Sequence, residues 1–370
     1  MILFLNFAPI TFMGGAEKWM NETAKKIDKK EPTILVSVAG SIASIYSSIV
    51  LKRRFDSRAN IKEIHNHISL ETTSFIPFTK NWQNARQTFK KARLIYVRYE
   101  LLEFLILFYF IGITGIRKTI AGLHSPFIYQ TPLTFFDYMH NILYQSFLSK
   151  KILSSVKKVH VLNKRDLRFM QRSFALKNVT YVPNGMPIQR SSTNIKQDGK
   201  LHILYVGELS LRKGADRLIE VIQQSPKNFV YTIAGDGPFK KEIEILSKQY
   251  SNCIFKGFVP PNKLPELYKT NEVLFLPSRA ESMPLSILEA LSYGLLTVTS
   301  KESTLNLSDS VEYISMNNKS KNYINIFRKI FEKKNSKKLN LLQVKRYFNR
   351  NFSTKTIDPF FLRSIINFDI

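Results

Sequence analysis

One rhythm runs twice along these 370 residues: a short apolar run, a turn closed by glycine or proline, and then a helical stretch. Ile2–Phe7 is closed by Pro9 and Gly14-Gly15, and Ala16–Lys29 then spaces Ala16, Trp19, Met20, Thr23, Ala24 and Ile27 at helical intervals. Thr33–Val38, Leu94–Val97, Thr119–Leu123, Val156–Leu162 and Thr180–Val182 read as further strands, with helical stretches such as Met139–Leu153 between them. The polar, turn-rich segment Pro183–Lys200 breaks the pattern, and Leu201–Val206 restarts it. Phe229–Ala234, Cys253–Phe255, Val273–Leu276 and Leu296–Thr299 follow as strands. Helices are expected over Gly214–Gln223, Lys240–Gln249, Leu264–Lys269, Pro284–Tyr293 and, from Ser320, along the Lys/Asn-rich tail. Parallel neighbours need a long crossover, so strands that alternate with helices point to a parallel sheet covered on both faces. The expected fold class is α/β, with two Rossmann-like doubly wound domains facing an interdomain cleft. Their expected bounds are 1–183 and 201–345, joined by a linker over 184–200, with a helical tail 346–370 packing back on the first domain.

Composition narrows the classes of function. At 44% hydrophobic the chain can fill two ordinary cores. A single cysteine, Cys253, excludes a disulfide framework and a cysteine-rich zinc site, and suits a reducing, cytoplasmic setting. The net charge of +27 calls for an anionic partner, and it is spread as +16 over 1–183 and +11 over 184–370. No zinc-finger, RNA-recognition or basic-zipper pattern accompanies it, which demotes nucleic acid. MILFLNFAPI has neither a basic lead nor a cleavage site and reads as a strand. Within Leu94–Ile116, the charges Arg98, Glu100 and Glu103 leave thirteen uncharged residues, Phe104–Ile116. A spanning helix needs roughly 20.

Neither half carries the dinucleotide fingerprint. Gly235-Asp236-Gly237 comes nearest, but Pro238 and Phe239 follow and the third glycine is absent. No Walker A sequence occurs. The most informative stretch is residues 277–294, PSRAESMPLSILEALSYG. Its strand should end at Pro277, and its helix should begin about Pro284, where proline is favoured, and close at Gly294. The backbone N–H groups of Met283, Leu285 and Ser286 would then face the crevice at the carboxyl end of the sheet, a natural diphosphate site. Glu281 in the loop and Glu289 in the helix flank it, and carboxylates suit sugar hydroxyls, which donate hydrogen bonds. A capped helix with two solvated acids would carry the same letters.

Five further strand-end turns join it. Residues 206–214, VGELSLRKG, place Arg212 and Lys213 where two cations can neutralise a leaving diphosphate without a metal; a solvated basic turn reads alike. Gly14-Gly15, followed by Ala16-Glu17, lets backbone approach a phosphate or sugar, or makes a plain tight turn. His124, in GLHSP, stands at a strand end where it could donate to a sugar oxygen or phosphate, or serve structure alone. Residues 235–238 and 256–260 are turns able to cup a nucleoside.

Their order is informative where each alone is ambiguous. Strand-GELSLRKG, AGDGP, FKGFVP and the E-x7-E helix occur between Leu201 and Ser300 in the order and spacing of the retaining glycosyltransferases of family 4, which this sequence resembles. GGAE, GLHSP and the VPNG of residues 182–185 support the resemblance in the first half. It implies the GT-B fold and transfer of a hexose or related sugar from a UDP- or GDP-sugar, with retention, to a glycan or lipid-linked acceptor. It implies that Glu281 contacts the donor sugar, Ser282, Met283, Pro284, Leu285 and Ser286 hold sugar and diphosphate through backbone, and Glu289 binds the ribose. Lys213 would hold the diphosphate, Phe258 and Val259 would meet the base beside the Gly235 turn, Gly15 would close on the phosphates, and His124 would assist transfer. Glu208 stands where the family usually has arginine, so Arg212 is the expected substitute cation. Ser282-Met283-Pro284 replaces the usual glycines.

No Asp-x-Asp occurs, which agrees with the metal-independent, cofactor-free transfer that the resemblance implies. A nucleotide-sugar epimerase of the same fold and a non-enzymatic nucleic-acid-binding protein stand as alternatives. The basic and aromatic groupings Lys52–Phe55 and Lys90, Lys91, Arg93, Tyr96, Arg98 suit peripheral contact with the anionic inner face of the cell membrane, or form a solvated basic surface.

Overall fold

The computed structural model describes residues 1–6, 15–39, 66–71, 82–190, 193–303, 305, 307–308 and 311–367. Gly14, Pro9 and the basic run Lys52–Phe55 lie outside the described residues. The chain divides into two compact units. The first comprises Met1–Ile128, Met139–Val182 and Phe360–Ile370, and the second Tyr129–Tyr138 and Pro183–Pro359.

The first unit is built on seven strands: β1 (Ile2–Asn6), β2 (Thr33–Ala39), β3 (His67–Glu71), β4 (Leu94–Arg98), β5 (Thr119–Leu123), β6 (Lys158–Val161) and β7 (Val179–Tyr181). They lie in the order β3-β2-β1-β4-β5-β6-β7, and every pairing is parallel. The second unit repeats the plan with β8 (Leu201–Val206), β9 (Phe229–Ala234), β10 (Cys253–Phe255), β11 (Val273–Leu276), β12 (Leu296–Ser300) and β13 (Glu312–Ser315), ordered β10-β9-β8-β11-β12-β13. Strands such as β5, β9 and β12 are buried along their whole length, so their sequences are continuous apolar or small runs rather than alternating ones. In each sheet the strand order reverses once, between β1 and β4 and between β8 and β11. Ligands of open parallel sheets bind in the crevice that such a reversal leaves at the carboxyl ends.

Several elements differ from the sequence reading. The strands β3 and β13 were not expected; both are short edge strands with polar ends, HISLE and EYIS. The expected helix over Met139–Leu153 is two helices, Phe135–Tyr144 and Phe147–Ser155. Ser146 separates them as an N-cap, its hydroxyl accepting from Ser149 N–H at 3.2 Å. The helix Leu101–Ile116 contains a break at Gly112 (φ 62°, ψ −173°), and no helix among the described residues is long and apolar enough to cross a membrane.

The segment expected as a linker is bonded to the second unit. Thr193 N–H donates to Tyr293 O at 2.9 Å and its hydroxyl to Tyr268 O at 2.7 Å. Lys196 N–H and His202 N–H donate to the two oxygens of Glu272 at 3.1 and 2.9 Å. Lys334, from the helix Ser320–Asn335, completes that cluster with an ion pair to Glu272 at 2.8 Å, the two side chains being 2% and 0% exposed. The tail divides at Pro359 rather than at 345, so the helix Leu341–Asn351 stays with the second unit and Phe361 packs in the first. The expected basic surface at 90–98 is also smaller than its letters: Tyr96 is wholly buried, Arg93 pairs with Glu31 at 2.7 Å, and Arg98 donates to Ser125 at 3.0 Å.

Candidate functional site

The two loops flanking the reversal in the second sheet are residues 207–214 after β8 and 277–284 after β11. They interlock through backbone. Arg279 N–H donates to Arg212 O at 2.7 Å, and the Arg279 guanidinium grips Asp216 through two bonds of 2.7 and 2.6 Å while also donating to Leu211 O at 2.5 Å. Burial would raise the Asp216 carboxyl, but the bonds from Arg279 outweigh it and hold the group below its usual range. Gly214 sits where the loops touch, at φ 74°; a Cβ there would lie 2.2 Å from Pro277 O. Only glycine satisfies both demands.

Two sequence-nominated groups come together in this frame. Lys213 Nζ lies 2.5 Å from Glu281 Oε1, with the side chains 27% and 10% exposed. The helix beyond Glu281 spans Leu285–Tyr293, one residue later than expected, because Pro284 is its N-cap, with extended backbone (φ −69°, ψ 118°). No side chain caps that end, and Gly294 closes the other in the left-handed region. The first N–H groups of a helix lack a carbonyl one turn back, so Leu285 and Ser286 present donors beside Glu281. Ser282, Met283 and Pro284 are buried, and Met283 Sδ accepts from Asn184 N–H at 3.0 Å.

Glu289, inside the helix, accepts from Tyr268 OH at 2.7 Å, and Tyr268 stacks on Tyr293. Gly235 N–H donates to Gly257 O at 2.8 Å, which joins the turn after β9 to the one after β10. Beyond that junction Phe258 is exposed and Val259 half-buried. Arg212 does not run parallel to Lys213. Its guanidinium bonds Tyr129 OH at 3.2 Å and Asp137 at 3.4 Å and lies over the Tyr129 ring.

In the first unit, Gly15 opens the helix Gly15–Asp28. His124 stands just past β5, its ring tilted against Trp19 with centroids 4.6 Å apart and bonded through Nε2 to Tyr96 OH at 2.8 Å. Burial, helped by His160 and Arg98, holds its ring well below the ordinary imidazole range. Among the described residues no group of three or more His, Cys, Asp or Glu is arranged to hold a metal ion.

Comparison with known proteins bears on the second unit first: residues 187–312 match the family model described as glycosyl transferases group 1. That stretch resembles a group 1 glycosyltransferase domain. It contains the Lys213–Glu281 pair and the bare helix start. Among the curated relatives is the amylovoran biosynthesis glycosyltransferase AmsD of Erwinia amylovora, 30% identical over 145 residues, 37% of this chain and 41% of that protein. Another is the alpha-galactosylglucosyldiacylglycerol synthase of Streptococcus pneumoniae, 29% identical over 133 residues, 31% of this chain and 35% of that protein. The chain thus matches well under half the length of either. Among solved structures, Anabaena HepE in complex with UDP and glucose superposes with a TM-score of 0.71 at 16% identity, covering 99% of both chains. The lipopolysaccharide outer core galactosyltransferase WaaB gives 0.69 at 15% identity, again over 99% of both. These likenesses show that the fold is GT-B.

Sequence reasoning missed the residues that hold this site together. Arg279 and Asp216 lie 63 positions apart, and nothing in either neighbourhood announces their pairing. Arg217, which donates to Pro277 O at 3.0 Å and to Glu302 at 3.1 Å, was equally hidden. The one available signal was the excess of cations beside strand-end loops.

Proposed function

We propose that this protein transfers a hexose or related sugar from a nucleoside diphosphate sugar to a glycan or lipid-linked hydroxyl, with retention and without a metal. The observation that carries the reading is the Lys213–Glu281 pair set against the uncapped helix start at the reversal of the second sheet. An arriving diphosphate offers Lys213 a more highly charged partner than a single carboxylate. Lys213 then exchanges Glu281 for phosphate oxygens, and the released carboxylate accepts hydrogen bonds from the sugar hydroxyls. The orphan N–H groups at Leu285 and Ser286 add fixed positive dipoles to the same charge. As the sugar–phosphate bond breaks, negative charge grows on the diphosphate, and these groups stabilise it where they already stand. The leaving phosphate takes the acceptor proton, and attack on the face it leaves preserves configuration. Glu289 serves the ribose, and Phe258 and Val259, beside the Gly235 turn, serve the base. Arg212, held by Asp137, acts as a brace rather than a second phosphate ligand.

The acceptor side takes support from the first unit, where Ile142, Leu143, Phe147 and Leu148 expose apolar surface beside the exposed Lys151. Exposed aromatic and aliphatic groups with a nearby cation suit an anionic lipid surface. The glycosyldiacylglycerol in the name of the pneumococcal relative agrees with that choice.

The test is a panel of UDP- and GDP-sugars, scored by thermal shift and by release of nucleoside diphosphate. At least one donor should raise the melting temperature and be slowly hydrolysed without an acceptor, in the presence of a chelator. A product sugar nucleotide in place of free sugar would favour an epimerase, and no stabilisation by any member would defeat the reading.

A further inference from the structure

The buried Tyr96 and His160 and the half-buried His124 form one hydrogen-bonded chain in the first unit, whose direction can be worked out from its far end. Val182 O is 2.8 Å from His160 Nε2, His160 Nδ1 is 2.6 Å from Tyr96 OH, and Tyr96 OH is 2.8 Å from His124 Nε2. A carbonyl only accepts, so His160 Nε2 carries a proton. Burial brings the His160 pKa down to about 4, so at neutral pH its Nδ1 is bare and accepts from Tyr96. The phenol has one proton and has spent it, so its oxygen accepts from His124 Nε2–H. The His124 ring is itself neutral, because burial, His160 and Arg98 all disfavour its cation. Its second nitrogen, Nδ1, is therefore a bare lone pair. That atom is buried and has no hydrogen-bond partner among the described residues.

We infer that Tyr96 and His160 are positioning residues that lock His124 in its Nε2–H form, so that His124 accepts a hydrogen bond from a sugar hydroxyl and contributes nothing to phosphate. The inference rests on the glycosyl-transfer reading for the identity of the hydroxyl, and on the bonding chain alone for the lock. It reverses the direction expected from the sequence, in which His124 donates. A bare ring nitrogen has nothing to offer a diphosphate, which carries no proton at neutral pH, whereas every sugar hydroxyl can donate. A buried acceptor left without a donor is destabilising, so the vacant lone pair favours a ligand that fills it. The chain ends on a carbonyl, which takes no proton, so it fixes the ring and does not conduct.

The surroundings are shaped to this chain. A Cβ on Gly122 would lie 2.2 Å from the Tyr96 hydroxyl oxygen, so glycine is what lets the phenol stand between the two imidazoles. Trp19 packs at a tilt against His124 at 4.6 Å, and Phe361 packs against His160 at 5.5 Å and Tyr96 at 6.2 Å, which limits competition from water. The charged groups nearby are cationic or compensated: Arg98 bonds Ser125 and lies 3.7 Å from Glu100, and Lys158 acts on His160. None offers His124 Nε2 an alternative acceptor.

Nitrogen-15 NMR of the full chain with labelled histidine reads the lock directly. At neutral pH, His124 Nδ1 should resonate as an unprotonated ring nitrogen and Nε2 as a protonated one, with the same pattern in His160. A protonated His124 Nδ1, or a charged ring, overturns the inference. In Tyr96→Phe the His124 signals should move toward the average of the two tautomers, and kcat on a consumed donor should fall about tenfold with affinity for the free nucleoside diphosphate retained. Unmoved signals in that variant would overturn the positioning role. Should the variant not fold, the wild-type spectrum decides: a bound nucleotide sugar should shift His124 Nδ1, and the nucleoside diphosphate alone should not. A donor that is bound and consumed while His124 Nδ1 is protonated breaks this inference and leaves sugar transfer intact. A donor that is bound and consumed without shifting a locked His124 Nδ1 likewise breaks the acceptor role, whereas a locked ring in a protein that binds and consumes no nucleotide sugar breaks the transfer reading and leaves the lock intact.

Discussion

The two units share a strand order but organise their strand ends by opposite means. In the second unit the loops after β8 and β11 hold each other by backbone bonds and by ions, Arg279 on Asp216 and Lys213 on Glu281. The result is an array of charge and bare N–H groups that an anion can displace. In the first unit the equivalent region carries rings: Trp19, Tyr96, His124, His160 and Phe361 enclose one neutral hydrogen-bonded chain. The difference teaches that one sheet plan can present two chemistries. Fixed charge suits a diphosphate, and a neutral, water-poor lone pair suits a hydroxyl.

Variants that strip one unit's chemistry are the strongest way to break this contrast. Glu281→Gln and Lys213→Ala should each lower turnover of a nucleotide sugar by at least about a hundredfold, since groups facing developing charge act mostly in the transition state. Lys213→Ala should also weaken nucleoside diphosphate binding, measured by calorimetry, whereas Tyr96→Phe should not. Next comes the ion pair beneath the second unit. Lys334→Met leaves Glu272 charged, buried and unpaired, and should cost that unit about 3–5 kcal/mol in denaturant titration.

The chain carries its own reporters for separating the units. Both tryptophans, Trp19 and Trp82, belong to the first unit, and the single cysteine belongs to the second. Acid should therefore divide them. The folded pKa of His160 lies near 4, below the ordinary value, so the unfolded chain binds the extra proton first. Stability from the neutral ring is complete above pH about 6.5 and is lost as pH falls toward 4. In the second unit Glu302 and Asp216 have pKa values below their ordinary ones. Burial raises both, but Arg217, Asn318 and its own N–H outweigh it at Glu302, and Arg279 does so at Asp216. Their contribution is present above the ordinary carboxylate range and is lost only below it. Tryptophan fluorescence in mild denaturant should thus lose its native signal at a higher pH than hydrogen exchange in residues 201–300 does. The smallest effect concerns Cys253, whose buried thiol is pushed up to about 12. It should resist a thiol reagent in native protein at neutral pH and react within the dead time once the second unit unfolds.

Legibility in the sequence followed the range of the interactions. Leu201–Val206, Phe229–Ala234, Lys240–Gln249, Cys253–Phe255, Leu264–Lys269 and Val273–Leu276 were readable to the residue, because buried runs and glycine turns are local signals. Glu281 and Lys213 were readable for the same reason: each stands in a compact motif beside a strand end. The edge strands β3 and β13 were not, since their polar letters, HISLE and EYIS, mask the pattern, whereas the edge strand β10 keeps an apolar CIF. Tyr96, His124 and His160 come from three adjacent strands or strand ends, 28 and 64 positions from Tyr96, so their chain exists only once β4, β5 and β6 have paired. Tyr96 accordingly looked like part of a basic, aromatic surface and is the buried middle link of a hydrogen-bonded chain. Residues 184–200 looked like a linker because backbone bonds to Tyr293, Tyr268 and Glu272 leave no trace in composition.

The most direct measurement of the central claim is the release of nucleoside diphosphate from the donor selected by the panel, followed side by side for the natural protein and Glu281→Gln. The account predicts turnover by the natural protein, with at least about a hundredfold loss in the variant and its melting temperature nearly unchanged. Equal release by both, or a natural protein that consumes none of the nucleotide sugars, would contradict it.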